Sequence, residues 1–511
     1  MKKVNELKAG ALFSYVNLAI TCVIPLLYTP IMLRILGQSE YGLYSLSNSV
    51  ISYLTILNFG MGSAIMRYVT KARAENNKKE VNKVVGQFVL IYVVLAILVI
   101  IVGSVLTIFA DEFFAQGLAE AEISKLRILM IIMSCSTAVS FPVSVYSSVA
   151  IAYERYIFRR LVDMAGTIAS PALNLVVLFA GGGSVGMALV GLGIQIAYAV
   201  IFIPYCIKEL DVKANFRSFS KELLKDISKF SAFVFLSMIV DMLYWSTDKV
   251  LIGAMLGSVA VAIYNVGGTF TSMLQNMSAA ISNVFVPRVT TMVVKDTPID
   301  EVSELLIRIG RIQYLIVSLI LSGYIVFGKV FIHFWSGDEY ADAYFVALWT
   351  MIPLAIPLIQ NIAYNTILAQ KKHQFRAIIY AVIAVINVVS TYLVIPKYGI
   401  VAAAVCTGAS YLIGNGLIMN IYYFKVTKLN IPKFWINIGK MSLVPAILII
   451  IGYELVNYVV PITTIYRFLL EVIIYTCLFA AGSWGISMNR YEKDLILDLI
   501  KKFFWIKNKT E

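Results

Sequence analysis

Four side chains in one apolar stretch carry groups fit for chemistry. Asp241, Tyr244, Trp245 and Asp248 recur at three- or four-residue intervals, so in a helix they share one face. Lys249 comes next in the chain. An ionised Asp or Lys in the middle of a membrane helix costs about 2.5–3.5 kcal/mol on insertion scales. Such a face must look into a polar cavity or meet a partner. The two carboxylates suit a coupling ion, Na+ or H+, and the two rings offer flat surfaces for stacking. A plainer role is also open, in which Asp248 pairs with Lys249 or an asparagine and fixes helix packing. Catalytic chemistry is not visible: no nucleophile stands beside a base, and there is no metal-ligand spacing or phosphate-binding glycine loop. The five cysteines form no CxxC pair. No catalytic residue, metal or cofactor is therefore expected.

Holding these residues requires helices in a membrane. The 511-residue chain is 60% hydrophobic and 14% charged, more apolar than a soluble fold of this length needs. Stretches such as 88–109 carry no charge and are long enough, at about twenty residues, to cross a bilayer as a helix. Continuous apolar runs favour helices over a barrel. About fourteen spans are expected. The first six are 10–34, 41–66, 84–109, 126–151, 162–181 and 184–207. The next six are 230–256, 259–287, 312–335, 344–369, 377–396 and 399–424, and a last pair covers 441–460 and 466–487. Gly181, Gly182 and Gly183 read as a turn between two of them.

The formal charge of +13 does not point to nucleic acid, because most of the 42 lysines and arginines gather in alternate gaps between spans. The opposite gaps are short and often acidic, as with Asp111, Glu112, Glu120 and Glu122. Lys and Arg are retained on the cytoplasmic side, so both termini are expected there. His333 and His373 then fall at opposite membrane faces and cannot pair.

The two halves share punctuation. Leu36-Gly37 ahead of Tyr44 is matched by Leu256-Gly257 ahead of Tyr264. Ala152, Arg155, Phe158 and Arg159 are matched by Ala369, Lys372, Phe375 and Arg376, and Asn174 and Gly186 by Asn387 and Gly399. The offsets are 220, 217 and 213 residues. A duplicated hydrophobic unit is a mark of a secondary transporter. Six spans per unit make the two lobes parallel. The expected organisation is an N-lobe at 1–207, a cytoplasmic interfacial linker at 208–229 and a C-lobe at 230–424. Two further spans within 425–487 and an amphipathic tail at 488–511 follow. In the linker, Ser220 is placed to cap a helix lying in the membrane surface.

Arg34, Leu36, Gly37, Tyr41, Gly42 and Tyr44, then Asn58, Phe59, Gly60, Arg67 and Tyr68, form one ordered set. Asp248, Lys249, Ile252, Gly253, Leu256, Gly257, Tyr264 and Asn265 form another. In order and spacing they resemble the Wzx-like polysaccharide flippases of the multidrug/oligosaccharidyl-lipid/polysaccharide (MOP) exporter superfamily, over nearly the whole chain. The resemblance implies a MATE-like all-α fold in a bacterial cytoplasmic membrane and a transporter rather than an enzyme. It implies a substrate of oligosaccharide on undecaprenyl pyrophosphate, turned to the outer leaflet by alternating access. Polysaccharide polymerase and chain-length machinery would be its partners. A drug or organic-cation antiporter of the same superfamily is the alternative. A membrane polysaccharide polymerase or ligase would need a sizeable outer loop, and the longest here is 110–125.

With such a substrate, Tyr244 and Trp245 suit sugar faces. The pyrophosphate needs cations, and arginine offers planar two-pronged hydrogen bonds. Arg34, Arg67 and Arg288 are the candidates, with Lys249 and Arg311 beside them; ordinary positive-inside anchoring is the competing role. Relatives among the lipid II flippases place arginines deep in the first helices, which this chain lacks. Amides suit sugar hydroxyls, and Asn48, Asn276, Gln360, Asn361 and Asn365 are candidates. Amides also join helices to one another. Pro353 and Pro357 precede three of them and are expected to kink that span. Topology is open to direct test. Alkaline phosphatase fused after Gly182 should be active, while the same enzyme fused after Asn76 or at the C-terminus should be silent.

Overall fold

The computed structural model describes residues 2–216, 224, 235, 238–239, 242, 246–370, 372, 374–456 and 462–507. Every regular element among them is helical. In chain order the first helices are α1 (Lys2–Ser52), α2 (Met61–Ala74), α3 (Lys78–Ile108), α4 (Ala110–Phe114), α5 (Glu120–Ala152), α6 (Tyr156–Phe179) and α7 (Gly183–Lys208). Then come α8 (Thr247–Leu256), α9 (Ser258–Ser282), α10 (Val286–Val294), α11 (Ile299–Trp335), α12 (Ala343–Ile359), α13 (Asn361–Ala369) and α14 (Gln374–Tyr411). The last are α15 (Asn420–Lys425), α16 (Ile431–Met441), α17 (Leu443–Glu454), α18 (Ile465–Gly482) and α19 (Arg490–Lys507).

Among the described residues ten helices are long and apolar enough to cross a bilayer, or eleven if the bent pair α12–α13 is one span. The expected fourteen do not appear as separate helices, for a local reason. The stretch Ala19–Ala74 takes in the expected span 41–66 and most of 10–34, and Gln374–Lys425 takes in 377–396 and 399–424. Their joints are single glycines rather than loops: Gly37 has φ 73 and ψ 171, and Gly399 has φ 71 and ψ −159. Glycine adopts such backbone without a Cβ clash, so the chain turns a corner while both flanks stay helical. The expected span 230–256 and the linker helix near Ser220 lie largely outside the described residues. Gly181 and Gly183 take positive φ at the α6–α7 turn, as expected there. α12 and α13 meet at a 50° bend just after Pro357, whose ring removes a backbone donor.

The chain divides into two compact units, Met1–Asn265 with Ala384–Ala403, and Val266–Ile383 with Ala404–Glu511. In the first, α5 packs against α3 and α7 and also touches α1 and α2. α3 buries Val84, Val85, Phe88, Tyr92 and Val99 and exposes Val94, Ile97, Ile101 and Ile108. Of the buried set, Tyr92 meets Phe141 of α5 edge-on and Phe88 lies by Tyr68 of α2; the exposed set is an apolar stripe suited to lipid. A side chain at Gly103 would strike Ser134 of α5, so its absence permits close helix approach. Carboxylates knit one end of the unit. Glu122 accepts from Ser39 at 2.5 Å and Ser258 at 2.6 Å. Glu40 accepts from the Ser184 amide and hydroxyl at 2.8 and 2.9 Å and pairs with Lys125 at 2.6 Å.

In the second unit α11 is central and packs against α12, α16, α17 and α18. It also carries a buried cation. Arg311 is 6% exposed and Glu492, at the start of α19, is 2% exposed. Arg311 Nε donates to Glu492 Oε1 at 2.5 Å and Nη2 to Oε2 at 2.9 Å, with a further bond to the Ser487 carbonyl at 2.9 Å. Arg311 is therefore committed to a structural pair, not left for a phosphate. Glu492 also closes a reciprocal cap with Asn489. Breaking such a pair from one side strands a buried charge, at a cost of about 3–5 kcal/mol. Glu492→Leu alone should lower the thermal unfolding midpoint of the detergent-solubilised protein markedly. Adding Arg311→Met should recover part of the loss; equal or additive losses would show that the two residues act independently.

Candidate substrate cavity in the first unit

Backbone geometry builds this cavity. The kink at Gly37 starts a helical run in which Tyr41, Tyr44, Ser45 and Asn48 fall on one face. A side chain at Gly42 would overlap the Ser258 backbone, so α1 can lie directly against the start of α9. α8 and α9 form a hairpin whose corner is Gly257, at φ 90 and ψ −175. That corner sets residues sixteen apart face to face. Tyr264 Oη donates to Asp248 Oδ2 at 2.7 Å, and Lys249 Nζ donates to Asn265 Oδ1 at 2.5 Å. Asn265 Nδ2 in turn donates to Tyr41 Oη at 2.5 Å and Ser45 Oγ at 3.2 Å. Asn265 thus couples an ammonium on α8 to two hydroxyls on α1. The end of α1 is tied to α8 by Ser52 with Ser246 (3.1 Å) and Tyr53 with Thr247 (2.6 Å).

These groups line a cavity of about 200 Å³: Tyr28, Tyr41, Tyr44, Asn48, Asn174 and Lys249 all reach it, beside Met32 and Met187. The volume is room for about six waters, the scale of one small group. Asn174 is buried, and its Oδ1 meets no hydrogen-bond partner. Among the described residues no ion pair within 4.0 Å holds Lys249, while its chain neighbour Asp248 is buried against Tyr264. The cavity therefore presents one ammonium, tyrosine rings and amides, a wall able to meet hydroxyls and an anion. No cluster of three or more metal-binding side chains occurs among the described residues.

The candidates read from sequence separate clearly. Lys249 and Asn48 line this cavity, and Asp248 is buried beside it against Tyr264. Asp241, Tyr244 and Trp245 lie outside the described residues. Arg34, Arg67, Arg288 and Asn276 are exposed, and Asn365 is half-buried. Gln360 is buried and donates to Asn420 at 2.7 Å, and Trp435 donates to the same oxygen at 2.8 Å. Asn361 donates to Ser282 at 3.2 Å. Gln360 and Asn361 thus join helices within the second unit. Tyr44 and Asn174 were noticed as repeat markers, and Tyr41 and Asn265 as members of the ordered motif sets, yet all four line the cavity; for Tyr41 and Tyr44 the nearby Gly37 was the available signal. Removing a hydrogen bond to a charged group costs about 1.5–3 kcal/mol. Asn265→Leu should therefore lower transport about 10–100-fold at unchanged protein level, whereas Asn276→Leu should be near neutral in the same export assay.

The sequence profile of a family described as polysaccharide biosynthesis protein matches residues 7–293. The chain is 20% identical over 269 residues to the Uncharacterized membrane protein EpsK of Bacillus subtilis, covering 52% of each, so it spans about half that relative's length. Among solved structures it is similar to the lipid II flippase MurJ in an inward closed conformation, with TM-score 0.75 and 16% identity over 95% of this chain and 99% of that one. An inward-facing multidrug resistance MATE family transporter of the MOP superfamily gives TM-score 0.61 and 15% identity over 83% and 99%. A MOP superfamily transporter from Pyrococcus furiosus gives 0.55 and 15% over 83% and 96%. The fold is accordingly the all-helical, multi-pass fold of MOP transporters.

Proposed function

The chain belongs to the polysaccharide biosynthesis protein family, and on that footing we propose that it flips oligosaccharide repeat units on undecaprenyl pyrophosphate from the cytoplasmic to the outer leaflet. The supporting observation is the cavity walled by Tyr41, Tyr44, Asn48, Asn174 and Lys249 inside a helical unit that shows an apolar outer stripe. A sugar headgroup cannot shed its water into hydrocarbon unaided. Amides and tyrosine hydroxyls replace that water, tyrosine rings stack on sugar faces, and the Lys249 ammonium offsets phosphate charge. The lipid tail stays in the bilayer throughout.

The cavity volume admits one end of such a headgroup rather than the whole. The proposed cycle therefore opens and closes a larger path by alternating access between two lobes, with both termini cytoplasmic. Asp248 and Asp241 are the proposed sites for a coupling Na+ or H+. Polymerase and chain-length proteins would receive the product. A cationic drug fits this wall less well, since its one charged group facing the space is an ammonium. The test is a deletion strain whose lipid-linked sugars are assigned to leaflets. Complete repeat units should accumulate on the inner leaflet; accumulation of flipped but unpolymerised units would overturn the reading.

A further inference from the structure

The duplication supplies an internal control for one arginine. In the first unit Phe158 stacks on Tyr205 with ring centres 3.6 Å apart, and Arg159 pairs with Asp163 at 3.4 Å. In the second unit Phe375 stacks on Tyr422 at 4.4 Å. Both partners of the second stack are shifted by the same 217 residues, so the two places are one local structure built twice. The register then aligns Arg376 with Arg159 and Tyr380 with Asp163. One copy keeps the arginine neutralised; the other has replaced the carboxylate with a ring.

Arg376 is held differently as a result. Its guanidinium lies 4.0 Å over the Tyr364 ring and 4.3 Å over the Tyr380 ring. Both rings hold the cation by cation–π attraction. Tyr380 donates to Asn415, which is 4% exposed within the π-helical stretch Leu412–Met419. Such stretches are frequent at functional sites. Asn420 donates to the Asn415 and Gly416 carbonyls at 2.7 and 3.0 Å, which holds that stretch in place. No ion pair within 4.0 Å involves Arg376 among the described residues. A surface anchor needs no such clamp. A guanidinium with its plane fixed and no carboxylate partner keeps a planar fork that fits phosphate oxygens.

We propose that Arg376, clamped by Tyr364 and Tyr380, docks the phosphate oxygens of the lipid-linked substrate on the cytoplasmic side of the second unit. The proposal rests on the flippase reading and adds the site at which the substrate's anion is first held. Phosphate oxygens also occur on bulk phospholipid, so the probes must separate the two sources. Purified protein in nanodiscs is titrated with undecaprenyl pyrophosphate and, separately, with phosphatidylglycerol, and bound lipid is read by native mass spectrometry. Wild type should prefer the pyrophosphate. Arg376→Lys, which keeps the charge and loses the fork, should weaken it about tenfold or more. Tyr380→Asp, which installs the Arg–Asp pairing of the first unit and removes the ring and its bond to Asn415, should weaken it comparably, with the thermal unfolding midpoint of the same sample checking that the fold is kept. Tyr380→Phe, which keeps the ring, should retain most of the affinity. Wild-type affinity in both Arg376→Lys and Tyr380→Asp would overturn the proposal, as would loss confined to phosphatidylglycerol. Wild-type protein that binds no pyrophosphate lipid overturns the flippase reading itself.

Discussion

Hydrocarbon offers no hydrogen-bonding partner, and the architecture follows from that deficit. Each backbone amide and carbonyl must be satisfied within its own segment or by a neighbouring side chain. Helices do this alone, which is why helices are the regular elements here. The exceptions are instructive. Where the helix widens into a π turn at Leu412–Met419, Asn420 reaches back to two carbonyls. Where the chain must change direction, Gly37, Gly257 and Gly399 do it in one residue. The same deficit governs side chains: Asp248 is met by Tyr264, and Arg311 by Glu492 and a carbonyl.

Polar groups gathered under this constraint are of two kinds. Some are consumed by one another, such as Gln360, Asn420 and Trp435. These fix helix positions. Others meet on the wall of a space, such as Lys249, Tyr41 and Asn174. The difference lies not in residue type but in whether packing fills the volume between them. Small residues decide that locally, since Gly42 lets α1 touch the Ser258 backbone and so brings its tyrosine face to the α8–α9 hairpin.

Apolar spans were legible in the sequence because hydropathy is a local property, and so was the oddity of Asp248 and Lys249. Their partners were not. Tyr264 and Asn265 stand opposite only because Gly257 adopts φ 90, a choice that composition does not reveal. Arg311 looked available because its counter-ion comes 181 residues later. Gln360 and Asn48 read alike as uncharged amides, and only their surroundings separate a helix tie from a cavity wall. Two of the repeat markers, Tyr44 and Asn174, proved to line the cavity, a role that their spacing alone did not reveal.

The Arg311–Glu492 bridge has a consequence for how the protein is made. α11 enters the membrane carrying a cation whose neutralising group is still unsynthesised. At roughly 5–20 residues per second, the intervening 181 residues take on the order of 10–35 s to emerge. Over that interval the central helix of the second unit holds an unmatched charge, and only arrival of α19 removes it. Arrival of α19 is thereby registered as a change in electrostatics at the core of the second unit, and a product cut short before α19 keeps Arg311 without its carboxylate.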